Sequence, residues 1–355
     1  MFNNDYLILE FGNFNIKLME AHIDKKEIKI HRMDLIPTIE NSIKDGEIVD
    51  AEKVVSQLSN YIISNNIKAK KTILTITSQS IMMRQVVVQS YKKNVIKSFI
   101  ELEADNYFPV DLSTCMVDYK ILPPGLDNPD DEECRVMIVA IPFEILDKYI
   151  SVANLLGLQL ISIDVASDSI VKLYSKRKHS PSENESDDEL NSTAFIDIGA
   201  EITNITIATN NVIKYNKILN FGASNLNHAI SHGNTLTKEE VEYIKKDYDI
   251  SVPYLQSDAQ GREKDIRAMI VEFMENLSAF FDFHNSRKTG NRINNIILVG
   301  GGAYQKGIKK LFEEVFSMPV ITEFDFDGVH FDHKIKNIEQ KILYFYKCIG
   351  ACIKE

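Results

Sequence analysis

A chain of 355 residues, 44% of them hydrophobic, is long enough to bury a large core and to divide into two or more domains. Its formal net charge of −11 argues against a nucleic-acid surface, which needs a clustered basic face. Its four cysteines lack CxxC spacing and read as buried thiols of a reducing compartment. With no basic-then-apolar leader and no apolar run near the roughly 18 residues of a membrane helix, the chain is expected in the cytoplasm.

Residues 6–36 alternate as three strands, with Asp24-Lys25-Lys26 as the turn between the second and third. The first strand ends in Glu10-Phe11-Gly12. Residues 51–65 form an amphipathic helix with Val54, Val55, Leu58, Tyr61 and Ile62 on its apolar face and Asp50 as its cap. Residues 72–77 are another strand. Residues 81–165 spell strand, helix, strand, strand, helix, strand, the pattern of a small ferredoxin-like unit, with the last strand also open to joining the parent sheet. Residues 175–193, SKRKHSPSENESDDELNST, lack apolar periodicity and read as a flexible linker, with a phosphorylation site as the lesser reading.

Residues 194–209, AFIDIGAEITNITIAT, form an apolar strand ending in Asp197-Ile198-Gly199 and a second strand of alternating Ile and Thr or Asn. Residues 225–294 are mainly helical, most clearly over 266–283. A buried strand at 295–299 runs straight into Gly300-Gly301-Gly302 and a helix over 304–316. Then EFDFDGVHFDH brings Asp325, Asp327, His330, Asp332 and His333 together, metal-binding residue types without EF-hand or zinc spacing. Residues 342–353 close the chain as an apolar helix.

A single Asp-x-Gly is most simply a tight β-turn. Here an acid, a hydrophobic residue and Gly occur twice, at Glu10-Phe11-Gly12 and Asp197-Ile198-Gly199, each opening an α/β segment. The repeat implies an internal duplication, with two half-domains facing each other across a cleft. A turn without a side chain exposes backbone N–H groups that suit phosphate oxygens, and Asp197 is placed to hold a magnesium ion through water. Strand, glycine turn and helix start at 300–302 is a geometry that meets an anionic or planar ligand, although it is neither GxGxxG nor a P-loop.

These three motifs, in this order, resemble the actin-like ATPase superfamily, and within it the family of the type IV pilus assembly protein PilM and its relative FtsA. Residues 45–50, DGEIVD, look like the family's loop before the first helix, and residues 103–109, EADNYFP, are similar to PilM's EAxxYIPF segment. Residues 221–226, FGASNL, stand where the family has GGxxLT, and residues 239–245, EEVEYIK, resemble EEAExxK. The resemblance implies an α/β, duplicated actin-like (ribonuclease H-like) fold. The first half-domain would cover 1–78 with 166–174 and 335–355, and an inserted ferredoxin-like subdomain, 1C, 79–165. After the linker at 175–193, the second half-domain would cover 194–225 with 295–334, and a helical subdomain, 2B, 226–294.

It further implies ATP and magnesium in the cleft. Gly12 and Asn13 fall on the first phosphate loop and Lys17 on the strand after it. Asp197, Gly199 and Thr203 fall on the second, with Gly222 beside them, and Gly300, Gly301 and Gly302 on the base loop. Glu10 and Asp197 stand at the metal. Glu242 and Lys245 share a helix face where the family contacts ribose or base, the plainer alternative being a surface ion pair. Two departures stand out: Glu10 replaces an Asp, and Asn13 with Phe14 replaces small hydroxyl residues. Binding is expected to survive them better than hydrolysis, leaving at most a slow ATPase.

The function implied is an ATP-binding scaffold of type IV pilus (or related type II secretion) assembly. It would take the cytoplasmic tail of a PilN-like inner-membrane protein in a groove at subdomains 1A and 1C, lined by Met82, Met83 and Tyr107-Phe108-Pro109. Pilus motor ATPases are further candidate partners, and the membrane is met only through the partner. The runner-up is an FtsA-like division protein binding FtsZ, against which stands the lack of a basic amphipathic helix at the C-terminus. A small-molecule kinase would need a substrate base in the cleft, and spacing singles out none.

Overall fold

The computed structural model describes residues 4–123, 134–178, 192–231, 236–255, 260–286, 292–323 and 325–354. Its alternating start folds as a meander of β1 (Asp5–Glu10), β2 (Asn15–Ile23) and β3 (Ile28–Pro37). A two-strand ribbon, β4 (Ile43–Lys44) and β5 (Glu47–Ile48), leads to helix α1 (Ala51–Ser64). Asp50 caps α1, its carboxylate accepting the Lys53 N–H at 3.1 Å. Strand β6 (Lys71–Ile76) then runs parallel to β1.

The next segment builds β7 (Met82–Val88), α2 (Lys93–Glu103), β8 (Cys115–Ile121) and β9 (Cys134–Pro142). The three strands pair antiparallel in the order β7-β9-β8, over a separate core that includes Val86, Ile96, Phe108, Val136 and Ile138. Helix α3 (Phe143–Leu155) and strand β10 (Gln159–Val165) leave this unit. Strand β10 pairs with β6, and α3 buries Ile145, Tyr149 and Val152 beside α1 against the first sheet. The ferredoxin-like pattern of 81–165 is therefore only half realised: its second helix packs against the first sheet and its last strand pairs with β6.

Helix α4 (Ala166–Tyr174) precedes the second meander of β11 (Ser192–Ile198), β12 (Thr203–Thr209) and β13 (Val212–Leu219). Helices α5 (Ala223–Ser231), α6 (Lys238–Asp247), α7 (Ser251–Leu255) and α8 (Arg262–Asn285) follow. The chain ends with β14 (Ile293–Val299), α9 (Ile308–Phe316), β15 (Val320–Ile321), β16 (Val329–Phe331) and α10 (Ile342–Ala351). The helix expected over 304–316 starts later, at Ile308, because Gly301–Tyr304 is a 3-10 turn and Gly307 adopts a left-handed φ of 85°.

The two large sheets have the orders β10-β6-β1-β2-β3-β16 and β13-β12-β11-β14-β15. From β1 and from β11 alike, an antiparallel meander of two strands leads off one side and two parallel strands lie on the other, with β16 extending the first sheet beyond β3. The duplication is thus a property of topology as well as of motif. Leu7 and Leu9 on β1 face the core under α1 and α3, while Tyr6 and Ile8 face the core shared with the second half. Both faces are covered, which explains the nearly unbroken apolar run.

Helices α4 and α10 pack on each other and touch strands of both sheets. Among the described residues no helix is long and apolar enough to cross a membrane. No group of three or more His, Cys, Asp or Glu among them is arranged to hold a metal ion. The Asp325 to His333 stretch instead pairs its backbone with Arg177 and β3. All four cysteines are buried and free. Most of the 175–193 linker, where a phosphorylation site was considered, lies outside the described residues.

Candidate functional site

Both meanders carry an acid at or next to the end of their first strand, Glu10 and Asp197, and turn on a glycine that tolerates no side chain. A Cβ on Gly12 would stand 2.8 Å from the Asn15 carbonyl oxygen, and one on Gly199 2.8 Å from that of Ile202. Register repeats the likeness, with Glu10 opposite Lys17 on β2 and Asp197 opposite Asn204 on β12. The two turns meet across the cleft. Asn13 Nδ2 donates to the Glu201 carboxylate, and Asn13 Oδ1 accepts the Gly46 N–H at 3.0 Å. Its amide is committed at both ends, which is how this departure from small hydroxyl residues is used.

Between the two acids lies an ammonium. Lys347 Nζ, from α10, stands 2.6 Å from Glu10 Oε1 and 2.7 Å from Asp197 Oδ2, and Lys17 Nζ stands 2.7 Å from the same Glu10 oxygen. Lys347 is only 8% exposed and Glu10 4%. Burial alone would raise the Glu10 pKa, but Lys17 and Lys347 outweigh it and hold the carboxyl below its usual range. Burial likewise works against the Lys347 ammonium, yet Asp197 and Glu10 prevail and its pKa rises. The neighbouring Cys348 thiol is pushed well up by burial and by Glu10, so it is not a reactive thiol.

These groups line one end of a cleft of about 550 Å³. Of the expected residues, Glu10, Gly12, Asn13, Lys17, Asp197, Gly199, Gly222, Glu242, Lys245, Gly301 and Gly302 line it. Thr203 and Gly300 do not. Thr203 is fully buried and donates its hydroxyl to the Phe221 carbonyl at 2.8 Å, while its strand neighbour Asn204 faces the cleft. Gly300 sits behind the lining, its N–H bonded to the Leu343 carbonyl at 3.0 Å. Lys245 pairs with Glu242 at 2.6 Å and also reaches Asn227 at 3.1 Å, so the pair is more than a surface contact.

The opposite wall is apolar, with Phe221, Leu226, Met269, Phe273 and Leu311. Phe221 stacks on Phe273 at 3.9 Å, and at the Gly301 edge Tyr304 stacks on Tyr344 at 5.2 Å. A cleft with two ammoniums and bare backbone at one end and aromatic surface at the other suits an elongated ligand with an anionic end and a planar end. Sequence reasoning missed Lys347 and this wall, because helical spacing marks such residues only as core.

Glu10 and Asp197 were also expected to hold magnesium. That ion demands near-octahedral oxygen ligation, whereas here the facing oxygens of both carboxylates hold the Lys347 ammonium. With Lys347 in place the pair does not fit a divalent ion.

The sequence profile described as "Type IV pilus assembly protein PilM" matches residues 9–353. The chain belongs to the PilM family. That membership also decides against the FtsA-like alternative. Among solved structures, a PilM-PilN type IV pilus biogenesis complex superposes with a TM-score of 0.77 at 17% identity, over 98% of this chain and 97% of that one. The ethanolamine utilization protein EutJ from Carboxydothermus hydrogenoformans gives 0.52 at 12%, over 98% and 88%. MreB 5 of Spiroplasma citri bound to AMPPNP gives 0.53 at 12%, over 98% and 94%. At these identities the likeness establishes the actin-like fold that the PilM-family chain shares with them.

Proposed function

We propose that this PilM-family chain is an ATP-binding cytoplasmic scaffold of type IV pilus assembly. It captures the cytoplasmic tail of a PilN-like membrane protein and so works at the inner face of the cytoplasmic membrane. The observation that carries the reading is the family match over residues 9–353, and the PilM-PilN neighbour supplies the class of partner. The nucleotide's phosphates are assigned to the Gly12 and Gly199 turns and its base to the aromatic end, an assignment supported by an AMPPNP-bound neighbour of the same fold. Magnesium on Glu10 and Asp197 is left out, since both are committed to Lys347.

The tail is assigned to the junction of the first half-domain and the inserted sheet. Of the residues expected there, Tyr107 is 44% exposed and available, while Phe108 is core. Met82 packs on the inserted core and Met83 on the main one, so neither is a free anchor. Leu102 on α2 and Met116 on β8 are exposed too, Met116 on the opposite sheet face from the inserted core, and edge strands β7 and β8 offer backbone for strand addition. The test is genetic. Deleting the gene in its host should abolish surface pili while division stays normal; intact pili with filamentous cells would instead indicate a division role.

A further inference from the structure

We propose that the cleft takes a nucleoside triphosphate without any divalent cation, the Lys347 ammonium with Lys17 beside it supplying the positive charge at the phosphate end. The inference rests on reading the cleft as a nucleotide site and concerns which cation serves it. Lys17 and Lys347 both reach Glu10, and Lys347 reaches Asp197, at 2.6 to 2.7 Å, so these carboxylates are charge-compensated before any divalent ion arrives. A divalent ion seated on those carboxylates would meet two ammoniums already at contact range of the same acids, beside side chains as buried as Glu10 and Lys347, where repulsion is less screened than in bulk water.

Withdrawing Lys347 to admit one is costly. All of α10 except Tyr344 is buried, and at Gly350 the helix lies so close to the Ser169 backbone that a Cβ would overlap its carbonyl. An ammonium withdrawn from both acids would remain buried and unpaired, the costly outcome for a charge. Lys17 is placed for the same task. Its Nζ lies 2.9 Å from where a Cβ on Gly12 would be, so it crosses the first turn beside the backbone that meets phosphate. The two lysines come from opposite ends of the chain and arrive together only because α10 inserts beside β1.

The test is calorimetric titration of ATP into the full chain, once in excess magnesium and once in excess EDTA. The expected result is dissociation constants within about threefold of each other. Binding in magnesium that disappears in EDTA overturns the inference while leaving the nucleotide reading intact, and no binding in either buffer overturns both. Lys347→Met, checked for folding by circular dichroism, should bind at least about tenfold more weakly in EDTA and regain affinity in magnesium, since the two carboxylates are then free for the ion. A folded variant with unchanged affinity in EDTA would also overturn it.

Discussion

Asn13, in the turn of the first hairpin, donates a hydrogen bond to the carboxylate of Glu201, in the turn of the second. The two glycine turns therefore touch at the mouth of the cleft, and Asn13 also ties the first turn to the Gly46 N–H of the ribbon. Gln79 and Asn220 add a second bond between the halves at 2.6 Å. Asn13→Ala should cost about 1 kcal/mol, since the Glu201 bond is solvent-exposed. It should also speed amide exchange at residues 11–15 and 199–203. Exchange unchanged in both turns would show that the contact does not hold the cleft closed.

Gly301 borders the Tyr344 ring, and a Cβ there would approach that ring to 2.7 Å. ATP at 100 times its dissociation constant should stabilise the native chain by about 2.7 kcal/mol. Gly301→Val should remove this thermal shift by placing a side chain at the aromatic end of the cleft. A folded variant with the full shift would unseat that placement of the base.

Glu10 and Asp197, the acids at the phosphate end, each have one oxygen engaged by Lys347, which opposes their orienting an attacking water. Phosphoryl transfer needs a positioned water and charge stabilisation on the γ-phosphate. Phosphate release should therefore not exceed about one turnover per minute, far below the enzyme median of about ten per second. Release at several per second from purified protein contradicts the scaffold reading.

The hairpins were legible because a buried strand pair announces itself by alternation and a close turn by glycine; Asp197 and Gly199 were found that way, and so were Glu10 and Gly12. Lys347 was not, since a lysine amid ILYFYKCIGA carries no local mark of its partners, which β1 and β11 contribute from far away in sequence. Thr203 was placed in the cleft by family likeness, but register opposite Ile198 turns it inward and leaves that role to Asn204. Strand β10 was ambiguous by pattern, and it pairs with β6 in the first sheet.

The pH dependence follows from the same cluster. Because the folded pKa of Glu10 is lowered, its contribution is fully present above the ordinary value of 4.5 and is lost as pH falls through the folded value. Lys347 has the opposite sign: its raised pKa gives a contribution that is fully present below the ordinary lysine value and is lost as pH rises from there through the folded value. Glu10→Gln should destabilise the protein by about 3 kcal/mol at pH 7, leaving Lys347 under-paired. Denaturant midpoints of the two proteins should converge as the pH drops below 4.5, and parallel curves across that range would show that the pair is not coupled to folding.

If this chain holds the tail of a membrane partner, calorimetric titration of a peptide copying the cytoplasmic N-terminal tail of the PilN-like neighbour into ATP-loaded protein should show it. One site of roughly micromolar affinity, about −8 kcal/mol, is expected, weakened at least about tenfold by a charged substitution at Tyr107. A peptide that gives no binding heat and shifts no resonance of the folded, ATP-loaded chain would contradict it.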